Sequence, residues 1–138
     1  GKAVEIIDKN FCGEREKVQD IKSYFIEKLE KEIDYIRINS PLDENHSPYV
    51  LNVSFEYVRG EVLLHYLEDK GIYVSTGSAC SSRGTEKSHV LSQLGLSNRE
   101  IEGAIRFCFS YENTKEEIDY TIKILKNSVE EIRQITMR

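Results

Sequence analysis

The chain has 138 residues, the size of one ordinary domain, and 39% of them are hydrophobic, enough for a single core. Its 19 lysines and arginines stand against 24 acidic residues, a net charge of -5, which removes the concentrated positive field that a nucleic-acid or anionic-membrane surface needs. No apolar run approaches the roughly 18 residues of a membrane span, and Gly1–Glu5 carry no signal-peptide pattern, so a cytoplasmic protein with no nucleic-acid or membrane partner is expected.

Val18, Ile21, Phe25 and Leu29 recur at spacings of three and four, which predicts a helix from about Glu14 to Lys31. Tyr35–Ile38 reads as a short strand. Residues 40–48 hold both prolines and several turn formers and read as a surface loop. Tyr49–Phe55 reads as a second strand, with Leu51, Val53 and Phe55 on one side. Glu61–Lys70 is predicted as a helix ended by Gly71, and Ile72–Val74 as a short strand that runs into a small-residue segment. Ser97 and Glu100 have the spacing of a capping box and open a short helix. Ala104–Ser110 follows as a strand. Thr114 and Glu117 form a second capping box, opening a long helix whose apolar face is Ile118, Ile122, Leu125, Val129, Ile132 and Ile135. The predicted fold is α+β: a small mixed or antiparallel sheet of three to four strands, covered by helices on one face, with a long C-terminal helix. The first helix has no partner before it, so the chain is expected to begin where another domain of a larger protein ends.

Three cysteines, Cys12, Cys80 and Cys108, form no disulfide framework, being odd in number and widely spaced. No C-x-x-C or H-x3-H spacing suggests zinc, and no metal is expected. Reduced thiols in a reducing compartment fit best. Cys12 lies near a helix start without a supporting cluster and reads as structural. Cys80 differs, because it sits in Ser75-Thr76-Gly77-Ser78-Ala79-Cys80-Ser81-Ser82-Arg83-Gly84. Small side chains cover a sulfur poorly, glycines let the backbone move, and Arg83 and Lys87 favour the thiolate, which is the nucleophilic form. The plainer reading of the same composition is a surface loop whose cysteine acts as a small hydrophobe. The glycine and lysine spacing does not fit a phosphate-binding loop.

Arg106 is the second candidate. Strand alternation sets Ile105, Phe107 and Phe109 on one face and Arg106 and Cys108 on the other. A guanidinium fork suits a carboxylate, which it can hold by two parallel hydrogen bonds. The plainer alternative is a solvated strand arginine paired with a local acid. His65 reads as packing or surface, and His89 as a helix-start residue.

Gly71 to Ser82 as a whole resembles the active-site cysteine segment of cysteine desulfurases, in the class V aminotransferase group of pyridoxal-phosphate enzymes. Ser88-His89-Val90-Leu91 with Leu94-Gly95-Leu96, Ile105-Arg106-Phe107, Thr114–Asp119 and the upstream Asn52-Val53-Ser54-Phe55 resemble further segments of that family, in the same order. The resemblance implies that Cys80 is the nucleophile that takes sulfur from L-cysteine as a persulfide, with release of L-alanine. It implies that Arg106 binds the substrate carboxylate and that Ser75, Thr76, Gly77, Ser78, Ala79, Ser81 and Ser82 form the active-site loop. It implies pyridoxal 5'-phosphate as cofactor, and a sulfur-acceptor protein, an iron–sulfur scaffold or a sulfur carrier, as partner. The full-length protein would be a homodimer.

Two departures stand out. Cys108 occupies the place where the family's arginine strand usually has Ser. The family's Schiff-base lysine follows a histidine, yet His46, His65 and His89 precede Ser47, Tyr66 and Val90. Residues 1–138 are therefore expected to be a single C-terminal small domain of a larger pyridoxal-phosphate enzyme, inactive alone, with its cofactor-binding domain absent from this chain. Two other functions remain open on the residues: a non-catalytic sulfur-relay module, and a redox-sensing thiol domain pairing Cys80 with Cys108. Selenocysteine lyases share the architecture, so selenocysteine is open as a substrate.

Overall fold

The computed structural model describes residues 1–43, 45–76 and 89–137, with the backbone alone for residues 6–12 and His89. The elements run α1 (Lys2–Glu32), β1 (Ile36–Ile38), β2 (Val50–Phe55), α2 (Gly60–Glu68), β3 (Ser75–Thr76), α3 (His89–Gln93), α4 (Asn98–Glu102), β4 (Ala104–Cys108) and α5 (Lys115–Thr136). The strands form one sheet in the order β1-β2-β4-β3, and every pairing is antiparallel. This is the α+β architecture read from the sequence, with a four-stranded sheet and the long C-terminal helix.

Alternation along the central strands decides where the core lies. Leu51, Val53 and Phe55 of β2, with Ile105, Phe107 and Phe109 along and beyond β4, are all buried. They pack under the apolar stripes of α1 (Val18, Ile21, Phe25, Leu29) and α5 (Ile118, Ile122, Leu125, Val129, Ile132), with Leu63 and Leu67 of α2 beside them. Phe25 lies 4.9 Å from Phe107 and 5.4 Å from Phe109 between ring centroids, the tilted and edge-on arrangements that aromatic rings favour. The three longer helices thus cover one face of the sheet.

Among the described residues the opposite face is covered only at one end. Leu91, Leu96 and Ala104 form a small second cluster with Ile101, so α3 and α4 sit over the Ala104 end of β4. Both predicted capping boxes are present. Ser97 Oγ accepts from the Glu100 amide while Glu100 accepts from the Ser97 amide, and Thr114 and Glu117 repeat the pattern at α5.

Several boundaries differ from the sequence reading. The first helix starts at Lys2 rather than near Glu14. Among the described side chains its packed stripe begins at Val18, and the core periodicity marks that part of the helix. A Cβ built on Gly13 would meet nothing within 4 Å beyond the helix's own backbone. The strand expected at Ile72–Val74 is displaced to Ser75–Thr76. Gly71, at φ +76, turns the chain out of α2, and the Ile72 amide bonds back to the Leu67 carbonyl at 2.9 Å, so these residues serve as a helix cap before the ladder is reached. Ile135 is exposed, because the last turn of α5 runs past the core. A further short helix, α3, begins at His89.

Phe25→Ala is expected to lower the unfolding free energy by about 3–5 kcal/mol, because it removes a ring buried at the centre of the cluster. Ile135→Ala is expected to change it by less than about 0.5 kcal/mol. Urea denaturation of the two variants checks both.

Candidate active-site face

On the side of the sheet opposite the main core, open among the described residues, the register brings four polar side chains into one row. Asn52 pairs with Arg106, and Arg106 pairs with Ser75 on the far edge. On the near edge the Asn39 amide donates to the Asn52 carbonyl at 2.9 Å, continuing the β1–β2 ladder by one residue. Residues directly opposite in an antiparallel sheet project from the same face. The row therefore reads Asn39, Asn52, Arg106, Ser75 across all four strands.

Arg106 is exposed and makes no hydrogen bond or ion pair among the described residues. The alternative of a strand arginine neutralised by a local acid does not hold among them. A guanidinium fixed on a central strand and left without a counter-charge can bind an anion in its plane. Cys108 projects from the same strand, is exposed, and borders a groove of about 480 Å³ that Tyr73, Val74, Asn113 and Tyr120 also line.

Ser75 and Thr76, read from the sequence as loop, form the edge strand β3. Gly77, Ser78, Ala79, Cys80, Ser81 and Ser82 lie outside the described residues. Four residues separate Ser75 from Cys80 in the sequence, so five links of fully extended chain would span at most roughly 18 Å.

Next to this row lies a second one that sequence reasoning missed: Arg37, Ser54 and Ala104, in register across β1, β2 and β4. Arg37 Nη1 donates to Glu100 Oε1 at 2.7 Å, and Ser54 Oγ donates to the Glu100 carbonyl at 2.7 Å. Asn39 Nδ2 donates to Ser54 Oγ and to Asn52 Oδ1, both at 2.8 Å. The Arg37 guanidinium, with Ser97 assisting, holds the Glu100 carboxyl down at a pKa of about 2. The one available signal was phase. Asn52 and Ser54 are the polar positions of an alternating strand, on the side opposite Leu51 and Val53.

The chain matches the aminotransferase class-V family model over residues 1–121. It belongs to the class-V aminotransferase family. It is 40% identical over 136 residues to "Cysteine desulfurase IscS" of Dictyoglomus turgidum, across 99% of this chain and 34% of that protein. Against the protein of the same name from Escherichia coli O139:H28 it is 37% identical over 136 residues, across 99% of this chain and 33% of the other. The chain thus spans about a third of the length of these curated relatives. A solved structure described as a NifS-like protein superposes with a TM-score of 0.77 at 31% identity, over 94% of this chain and 31% of that one. A Streptoalloteichus hindustanus aminotransferase, TlmJ, superposes with a TM-score of 0.67 over 93% of this chain and 35% of its own, and at 14% identity it shows the fold alone.

The class-V family is one of pyridoxal-phosphate enzymes, whose cofactor is held as an imine by a lysine amine. The described lysines lie on α1 and α5 and at the end of α2, and none stands in a strand of the open face. Among the described residues no amine is therefore placed to hold the cofactor as an imine. The row offers N–H donors to an anion, and among the described residues no amine for the cofactor's aldehyde.

The lowered Glu100 carboxyl links stability to pH. A group whose folded pKa is depressed contributes stability above its unfolded pKa and loses it as pH falls through the folded one. The Glu100 contribution is expected to be complete above about pH 4.5 and to disappear between about 4.5 and 2. Melting temperatures followed across that interval should fall less steeply for Glu100→Gln than for the parent chain.

Proposed function

We propose that this chain supplies the substrate-carboxylate site and the nucleophile of a cysteine desulfurase. Arg106 is the observation that carries the reading: a strand-borne guanidinium, exposed and without a counter-charge among the described residues, in register with the strand that leads to Cys80. The desulfurase relatives, which the chain matches along 99% of its length, support it.

Arg106 would hold the carboxylate of L-cysteine in its guanidinium plane and so orient the substrate's sulfur. The Cys80 thiolate attacks that sulfur, a new S–S bond forms, and the substrate's C–S bond breaks. The carbon left behind takes up a proton, so a thiol and L-cysteine become a persulfide and L-alanine. Splitting one transfer into two covalent steps lowers each barrier. The electron sink for the C–S cleavage belongs to pyridoxal phosphate, which residues beyond those described here would bind. The persulfide then passes to an acceptor protein, an iron–sulfur scaffold or a sulfur carrier.

In this reading residues 1–138 are the C-terminal small domain of a larger, homodimeric cytoplasmic enzyme. No helix among the described residues is long and apolar enough to cross a membrane. The 138-residue chain alone is expected to release no L-alanine from L-cysteine, since none of its lysines follows a histidine.

Cys80→Ser in the complete protein is expected to abolish sulfur transfer, and mass spectrometry of the parent should find one added sulfur atom on the Cys80 peptide. Transfer at an undiminished rate in that variant would overturn the proposal. Arg106→Ala removes a charged hydrogen-bonding partner worth about 1.5–3 kcal/mol, so KM for L-cysteine should rise about 10- to 150-fold. An unchanged KM would remove the carboxylate site.

A further inference from the structure

We infer that Asn52 is a second donor to the substrate carboxylate beside Arg106, and that Asn39 and Ser54 are positioning residues that set which way the Asn52 amide points. The inference rests on the carboxylate reading of Arg106 and deepens it.

Ser54 Oγ has a single hydrogen. It lies 2.7 Å from the Glu100 carbonyl oxygen, which can only accept, so the hydrogen is committed there. Ser54 Oγ must therefore act as acceptor toward Asn39, 2.8 Å away, and the Asn39 atom facing it must be Nδ2. The second hydrogen of Nδ2 goes to the Asn52 side chain at 2.8 Å, and the atom receiving it must be Oδ1. An amide oxygen and nitrogen, otherwise hard to distinguish, are thus assigned by a main-chain carbonyl two links away.

The orientation holds against a cost. Asn39 Oδ1 is left buried without a hydrogen-bond partner, a loss that proteins ordinarily avoid. Flipping Asn39 would set its oxygen against Ser54 Oγ, which has no hydrogen left to give. The Ser54 hydroxyl, fully buried beneath α4, is in turn held by the helix that Ser97 caps.

Asn52 Oδ1 is engaged on the β1 side. Its Nδ2 then faces the other way, toward β4, where Arg106 is its register partner on the same face. The Asn52 amide and the Arg106 guanidinium are thus donors of directly paired residues on one face, and no acid is among the four residues of the row. A carboxylate, with two oxygens and about four lone-pair sites, accepts from both. With the Asn52 amide reversed, an oxygen would face that carboxylate and repel it.

The test uses the complete, cofactor-loaded protein. Asn52→Asp sets a negative charge beside Arg106 and should raise KM for L-cysteine at least about tenfold with kcat little changed. Asn39→Asp cannot donate to Asn52, whose amide is then expected to reverse, and KM should rise about three- to tenfold although Asn39 touches no ligand. A readout independent of turnover is calorimetric binding of L-alanine against ethylamine, which lacks the carboxylate. Both variants should weaken the first and leave the second alone. Should Asn52→Asp not fold, Asn52→Ala serves, with an expected loss of about threefold or more. If the asparagine variants lose stability but keep parental KM and L-alanine affinity while Arg106→Ala loses both, the inference is overturned and the carboxylate site stands. If Arg106→Ala also binds L-alanine as the parent does, the carboxylate reading itself fails.

Discussion

The antiparallel pairing of Val50–Phe55 with Ala104–Cys108 commits every residue of the two central strands to one of two faces. Val53 opposite Ile105 and Leu51 opposite Phe107 enter the core; Asn52 opposite Arg106 and Ser54 opposite Ala104 face the other side. A slip of one residue would bury Arg106 under Phe25 and expose the aromatic cluster. Burial of so many apolar side chains on one side therefore fixes the position of the polar row on the other. The same free energy that holds the fold aligns the site.

That division leaves polar groups at the boundary to be satisfied. Ser54 is fully buried, and its hydroxyl meets the main chain of α4. Arg37 meets the carboxylate of the same residue of α4, Glu100. One short helix thus serves as the anchor of a chain of bonds that runs from its own carbonyl through Ser54 and Asn39 to Asn52. Gly103 permits the close approach of that helix's exit to the sheet, since a Cβ there would collide with the Phe55 carbonyl oxygen. A site built on strands and backed by such bonds is held more firmly than one built on loops.

In the proposed reading the arrangement divides two tasks that sulfur transfer requires. Holding a carboxylate asks for fixed donors, and Arg106 stands on a central strand paired on both sides. Carrying sulfur away asks for a nucleophile with some reach. In the proposed reading that nucleophile is Cys80, which follows Ser75 of the edge strand beside Arg106 in the sequence.

Alternation and helical spacing by themselves determined much of this protein. They give the core stripes of α1 and α5, the two faces of the central strands, both capping boxes, and Arg106 and Cys108 sharing one side, because each is a periodic or local property of neighbouring residues. Only the tertiary structure decided that β3 falls at Ser75–Thr76, since the cap at Gly71 and the β4 ladder compete for the same short stretch. It alone decided that Ile135 overhangs the core and that Asn39 and Asn52, separate in the chain, become partners in one row. Those outcomes depend on which strand lies beside which, and strand order is a property of distant residues packing together that no local pattern encodes.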